Sequence, residues 1–143
     1  MIALDTNLLV YAHRADSSFH LPATEALRPI IEGEAPWALP WPCVHEFIGV
    51  VTNSRICKPP TLLADAFAFV DSLMTAPSLH LLAESPGYFE KLRDLTLTGK
   101  ISGPRIHDAR IAALCLHHGV RELWTADRDF SHFPQLRTRN PLG

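Results

Sequence analysis

The sequence predicts an α/β fold, with a central, mostly parallel sheet of four to five strands covered by helices on both faces. Two observations carry that expectation. Short apolar runs bounded by turn residues alternate with longer stretches whose apolar residues recur at helical spacing, and alternation of this kind builds right-handed crossovers onto a parallel sheet. The chain is also 143 residues long, 47% hydrophobic and 20% charged, ordinary values for one domain (1–143) that buries its own core.

Taken in order, "IAL" (2–4) is a short buried strand, and "TNLLVYAHRA" then places Leu8, Leu9, Tyr11 and Ala12 at helical spacing. A second helix runs through "LPATEALRPIIEGE", with Pro29 limiting or kinking it and Gly33 near its end. "WALP" (37–40) is a Pro-bounded strand. In "PCVHEFIGVVTN", Val44, Phe47, Ile48 and Val51 follow i, i+3, i+4, i+7, and Pro42 suits a first helical turn. "ICKPPT" (56–61) breaks the chain before the amphipathic helix "LLADAFAFVDSLMTA" and the strand-like "SLHLLAE". "YFEKLRDLTLTG" (88–99) is a helix ending at Gly99, and Pro104 can open the next, "RIHDARIAALCLHHG", closed by Gly119. "ELWTAD" (122–127) is a strand running into a loop, and "QLRTRNPL" supplies a last short strand.

A formal charge of −2 argues against a simple phosphate-neutralising module but not against a nuclease, whose carboxylate site is negative until a divalent cation fills it. Cys43, Cys57 and Cys115 are odd in number and lack C-x-x-C spacing, which points to buried, reduced thiols. No charged leader precedes an apolar run, and no stretch approaches the ~20 apolar residues of a membrane span. The chain therefore reads as a soluble, cytoplasmic protein with no membrane partner.

Chemistry is carried by the acids. In an open parallel sheet the ligand site lies beyond the carboxyl ends of the strands, where Asp5 follows the first strand and Asp127 and Asp129 follow "LWT". Each acid has an ordinary use: Asp5 as a helix cap, with Thr6 also able to cap, Asp108 near a helix N-terminus, Asp127 in a turn, and Glu46 at an exposed edge. Glu46, however, lies on a helix apolar almost all round, which predicts a half-buried carboxylate in need of a cation or donors. Gathered together, Asp5, Glu46, Asp108 and Asp127 would raise one another's pKa, a conflict that a hard divalent cation resolves. Oxygen-only ligands suit Mg²⁺, with Mn²⁺ as a substitute, and the chemistry implied is metal-assisted attack of water on a phosphodiester.

Competing motifs fall short. "HEFIG" begins like the H-E-x-x-H zinc motif but carries Gly49 where the second His belongs. His117 and His118 are adjacent on a helix and diverge. Position 7 is Asn where a phospho-aspartate phosphatase would want Asp, and no P-loop, G-x-G-x-x-G or G-x-S-x-G occurs. Arg14, Arg105, Arg110 and Arg128 lie near the acids in sequence and could touch RNA phosphates, although each alone reads as solvated or paired with an acid.

"LDTN" at 4–7, "HEF" at 45–47, "HDARIAA" at 107–113 and "WTADRDF" at 124–130 together resemble a PIN domain of the VapC type, over essentially the whole chain. The resemblance implies a three-layer α/β/α PIN-like domain and a Mg²⁺-dependent endoribonuclease, the toxin of a type II toxin–antitoxin pair. It also implies inhibition by a VapB-like antitoxin, a homodimer, and contact with DNA only through that antitoxin. Asp5, Glu46, Asp108 and Asp127 match the family's acidic quartet, Thr6 and Asn7 its polar support, and Thr125 the hydroxyl residue before the last acid. Asp129 matches a less constant acid and is an auxiliary metal ligand on this basis. The alternatives are a catalytically inactive PIN scaffold that binds RNA or a protein, and a DNA-directed or structure-specific nuclease.

Overall fold

The computed structural model describes residues 1–143. Five strands, β1 (Ile2–Leu4), β2 (Trp37–Pro40), β3 (Leu79–Leu82), β4 (Glu122–Trp124) and β5 (Thr138–Arg139), form one sheet in the order β3-β2-β1-β4-β5. Every pairing is parallel, with Ala3 opposite Ala38 and Leu123, and Trp124 opposite Arg139. The chain winds outward from β1 to β3, then returns to lay β4 on the other side of β1. That reversal puts the topological switch between β1 and β4, the place where an open α/β sheet forms a crevice.

Helices α1 (Thr6–His13), α2 (His20–Glu32), α3 (Trp41–Val51) and α4 (Leu63–Met74) cover one face, and α5 (Tyr88–Gly99) and α6 (Ile106–His117) cover the other. Strand alternation explains the two cores. Leu4, Trp37, Leu39 and Trp124 point to the α1–α4 side, where they meet Leu8, Leu27, Phe47 and Val51, whereas Ala3, Ala38 and Leu123 point to the α6 side. The α6 face is built from small residues, Ala3 and Ala38 against Ala109, Ala112 and Ala113, all fully buried. Short side chains on both surfaces let this helix lie close against the sheet, so its first turn reaches the end of β1.

Local details depart from the sequence expectations for identifiable reasons. Pro29 sits inside α2, which continues to Glu32. Gly99 remains helical and the left-handed residue is Lys100 (φ 53°); a Cβ on Gly99 would lie 3.1 Å from Ile101, so close approach rather than chain reversal accounts for that glycine. Pro104 belongs to a 3-10 turn, Gly103–Arg105, that leads into α6 instead of opening it, because Gly103 turns the chain at φ 64°. A further 3-10 turn at Arg128–His132 follows β4, buries Phe130 and is capped by Asp127, whose side chain accepts from the Asp129 N–H. All three cysteines are buried and free, and no helix is long and apolar enough to cross a membrane.

Candidate active site

Asp5 directly follows β1 at the switch point and caps α1. Its backbone N–H donates to the Trp124 carbonyl at 3.0 Å, which locks it beside β4. The side chain is 4% exposed and surrounded by donors: the Thr6 N–H at 2.8 Å and the Cys43 thiol at 3.5 Å on Oδ1, and the Thr125 hydroxyl at 2.7 Å on Oδ2. Burial is the main influence on this carboxyl and raises it from 3.8 to about 6; the Thr125 and Thr6 hydrogen bonds oppose that rise and the Glu46 charge adds to it. The cap and the site are therefore served by the same residue. Thr6 does not cap, because its hydroxyl turns away to donate to Glu46 Oε2 at 3.0 Å.

Thr125 and Asn7 join the two strand ends. The Thr125 hydroxyl donates to Asp5 while accepting from the Asp127 N–H at 2.9 Å and the Asn7 amide at 3.2 Å. Asn7 Oδ1 accepts in turn from the Ala126 N–H at 3.1 Å. A buried network with each member satisfied holds its groups in one geometry, so the loop carrying Asp127 is fixed relative to Asp5.

Glu46 projects from α3 and is exposed, where the apolar character of that helix had predicted half burial. The reason is tertiary: α3 buries its apolar stripe against α1 and the sheet and leaves the Glu46 edge over open space. Asp108, in the first turn of α6, is half-buried, and burial raises its pKa, with further upward pressure from Asp127, Asp129 and Glu46.

The four acids of the quartet line one cleft of about 300 Å³, together with Val10, Tyr11, Val50, Ile56 and Ile111. Within the group the acids are unevenly placed. Carboxylate oxygens of Asp108, Asp127 and Asp129 all lie within 4.8 Å of one another, whereas Asp5 sits deeper with its oxygens engaged and Glu46 leans on Thr6. Asp129, expected as an accessory, thus stands in the tightest cluster of acids in the molecule, because the 3-10 turn after Asp127 folds it back.

The arginines divide. Arg14 is held by Asp16 at 2.8 Å, contacts Thr61 and lines a smaller hollow that adjoins the cleft through Val10, Tyr11 and Ile56. Arg110 pairs with Glu84 at 3.0 Å and, with His45 and His107, lines a second hollow that shares Glu46 and Asp108 with the cleft. Arg128 lines a third hollow that shares Asp127. Arg105 is exposed in its turn and lines none of the three. Sequence reasoning missed the Cys43 thiol on Asp5 and missed Arg139 altogether. The thiol had no signal beyond an apolar neighbourhood, and Arg139 had only its membership of the last strand.

Comparison with known proteins agrees with this architecture. Residues 2–136 match the family profile described as PIN domain. Ribonuclease VapC43 of Mycobacterium tuberculosis is 37% identical over 142 residues, covering 99% of this chain and 96% of that protein. Among solved structures, VapBC2 from Rickettsia felis, bound to a DNA fragment from its promoter, superposes with a TM-score of 0.69 at 19% identity, covering 98% of each chain. VapC20 of Mycobacterium tuberculosis, described as a Sarcin-Ricin loop cleaving toxin, superposes at 0.67 with 15% identity, covering 92% of this chain and 93% of that one. Helix order, parallel sheet, acid-lined switch point and 37% identity over nearly the full length converge, and the chain belongs to the PIN-domain family of VapC ribonucleases.

Proposed function

We propose that this chain is a single-domain, divalent-metal-dependent endoribonuclease of the cytoplasm, acting as the toxin of a VapBC-type pair. The observation that carries the proposal is the cleft at the β1–β4 switch, where Asp5, Glu46, Asp108 and Asp127 converge and Asp129 closes on two of them. The proposal extends to a cognate VapB-like antitoxin as inhibitor, supported by the likeness to VapBC2, and to a homodimer as the working unit with DNA contact only through the antitoxin.

The donor set fits Mg²⁺ or Mn²⁺. It is made of carboxylate oxygens alone, close enough together to repel; burial is the main cause of the raised Asp108 pKa, and the charges of Asp127, Asp129 and Glu46 add to it. Asp108, Asp127 and Asp129 would hold the cation, with Asp5 and Glu46 across the cleft. When bound, such an ion polarises a scissile phosphate and makes water a better nucleophile near neutral pH.

The chain's own residues supply the rest. Thr125 and the Thr6 N–H fix the Asp5 carboxylate in one orientation, so it presents a preset acceptor instead of reorganising during reaction. Glu46 Oε2 is anchored by Thr6, which leaves Oε1 to accept a proton from the attacking water. Val10, Tyr11, Val50 and Ile111 give the cleft an apolar wall beside the acids.

Replacing Asp108 or Asp127 by Asn should reduce cleavage of RNA in Mg²⁺ by at least about 100-fold, the scale of losing a preorganised electrostatic group, with circular dichroism unchanged. Undiminished cleavage by both variants would sink the assignment. Offering DNA of the same sequence beside RNA tests the substrate class, and co-purification with the product of an adjacent small reading frame tests the partner.

A further inference from the structure

The acid cleft is the middle of a longer trough. At Asp127 it opens into a hollow of about 530 Å³, and at Glu46 and Asp108 into one of about 550 Å³. The two flanks differ in their free charge. On the second flank Arg110 is committed to Glu84. On the first, Arg128 and Arg139 belong to none of the molecule's ion pairs, which are Arg14–Asp16, Arg110–Glu84 and Arg137–Glu122.

Arg139 is nevertheless held. It faces Trp124 across the β4–β5 pairing, its guanidinium lies 5.4 Å from the indole centroid, and its backbone carbonyl accepts from the Thr125 N–H at 2.9 Å. An arginine resting on an aromatic face keeps its fork of N–H donors for an incoming anion, where one paired with a carboxylate does not. The residue that fixes Asp5 thereby also fixes the strand that carries Arg139. The rest of the lining is mostly polar, with the hydroxyls of Ser131 and Thr138 and the amide of Asn140 beside Ala126 and Gly143.

We infer that this hollow is a subsite for a phosphate of the RNA strand next to the one being cut, with Arg139 as its chief ligand and Arg128 between it and the acids. The inference rests on the nuclease reading of the neighbouring cleft. A phosphodiester accepts two parallel N–H bonds from a guanidinium, and the strand's next phosphate then falls toward the acidic cluster, where a cation neutralises both sides. An acidic peptide could take the same arginines but offers no phosphodiester to the cation-binding acids. RNA is the polyanion that suits both ends of the trough.

Anisotropy of a fluorescein-labelled single-stranded RNA in Mg²⁺, with RNA integrity checked on a gel, tests this for the full chain. Arg139→Ala and Arg139→Met, the second keeping the stem over Trp124, should each weaken binding by about 5- to 20-fold, the scale of a charged hydrogen-bonded contact. Each should also reduce the slope of log K against log salt by about 0.7, the loss of one phosphate contact on a single strand. Arg28→Ala, an arginine in a separate groove beside α2, serves as the control. Unchanged affinity and slope in both Arg139 variants overturn the subsite, as does an effect confined to Arg139→Ala, which would belong to packing on Trp124. Tighter binding of an oligoglutamate peptide with the same dependence on Arg139 would assign the hollow to an acidic protein segment and overturn it too. Cleavage of total bacterial RNA by the unmodified chain is scored separately: if it fails while the Arg139 effects hold, the nuclease reading falls and the phosphate subsite stands.

Discussion

Asp5→Asn should make the metal-free protein more stable at neutral pH and less stable in acid, relative to the unmodified chain. Burial raises the Asp5 carboxyl from 3.8 to about 6. A folded-state pKa above the unfolded value means that the folded chain binds the extra proton, so the associated stability is fully present below about pH 3.8. It is lost as pH rises through about 6. Above that range the ionised, buried Asp5 costs about 3 kcal/mol, at 1.36 kcal/mol for each tenfold change in proton affinity. Asn avoids that cost but mismatches its surroundings: its NH₂ faces a Thr125 hydroxyl that already accepts from the Asp127 N–H and the Asn7 amide, a loss of about 1 kcal/mol. The mismatch is independent of pH and the ionisation is not. The stability difference between variant and parent should therefore swing by about 2 kcal/mol between roughly pH 4.5 and pH 8, in favour of the variant at the upper end. Urea denaturation in EDTA reads this as a relative midpoint shift on the order of 1 M at ordinary m-values. A difference that stays flat across that range would refute the argument that burial dominates at Asp5.

Thr125→Val should destabilise the fold by about 1–3 kcal/mol in urea denaturation, since it removes the strongest donor to Asp5 and orphans the Asp127 N–H. Thr125→Ser should recover most of that loss, and a valine variant as stable as the parent would show that the network is dispensable. Asp129→Asn should weaken Mn²⁺ binding by about tenfold or more in calorimetry, about 1.4 kcal/mol, if Asp129 is a ligand equal to its neighbours; an unchanged constant would return it to a peripheral role. Phe47→Ala, which empties a fully buried site packed edge-on by His13 and beside Phe69, should lower stability by about 3–5 kcal/mol in the same urea assay. A loss below about 1 kcal/mol would mean that this core collapses around the gap.

Much of the fold was legible because its elements are local and strongly patterned. "WALP" and "YFEKLRDLTLTG" have the same bounds in the structure as in the sequence reading, since a Pro-bounded strand and an amphipathic helix each announce their own periodicity. Glu46 shows the limit. Its helix is apolar on nearly every side, so composition predicted half burial, yet exposure depends on which side the neighbouring elements cover. Asp129 shows the same limit from the other direction: a short 3-10 turn with no periodic signal brings it against Asp108, 21 residues earlier in the chain.

The sequence by itself determined the two strand-then-acid units at Asp5 and Asp127, the acidic helices between them and the parallel sheet that they imply. Those features are written in side-chain type and spacing, and local chain physics converts them directly into structure. Only the tertiary structure decided that β1 and β4 are neighbours, that one threonine hydroxyl ties Asp5 to the Asp127 loop, and that Arg139 rests on Trp124 at the edge of the acids. Each of those facts joins residues far apart in the chain. Such contacts are set by sheet order and by which faces pack, quantities that no local window of sequence contains.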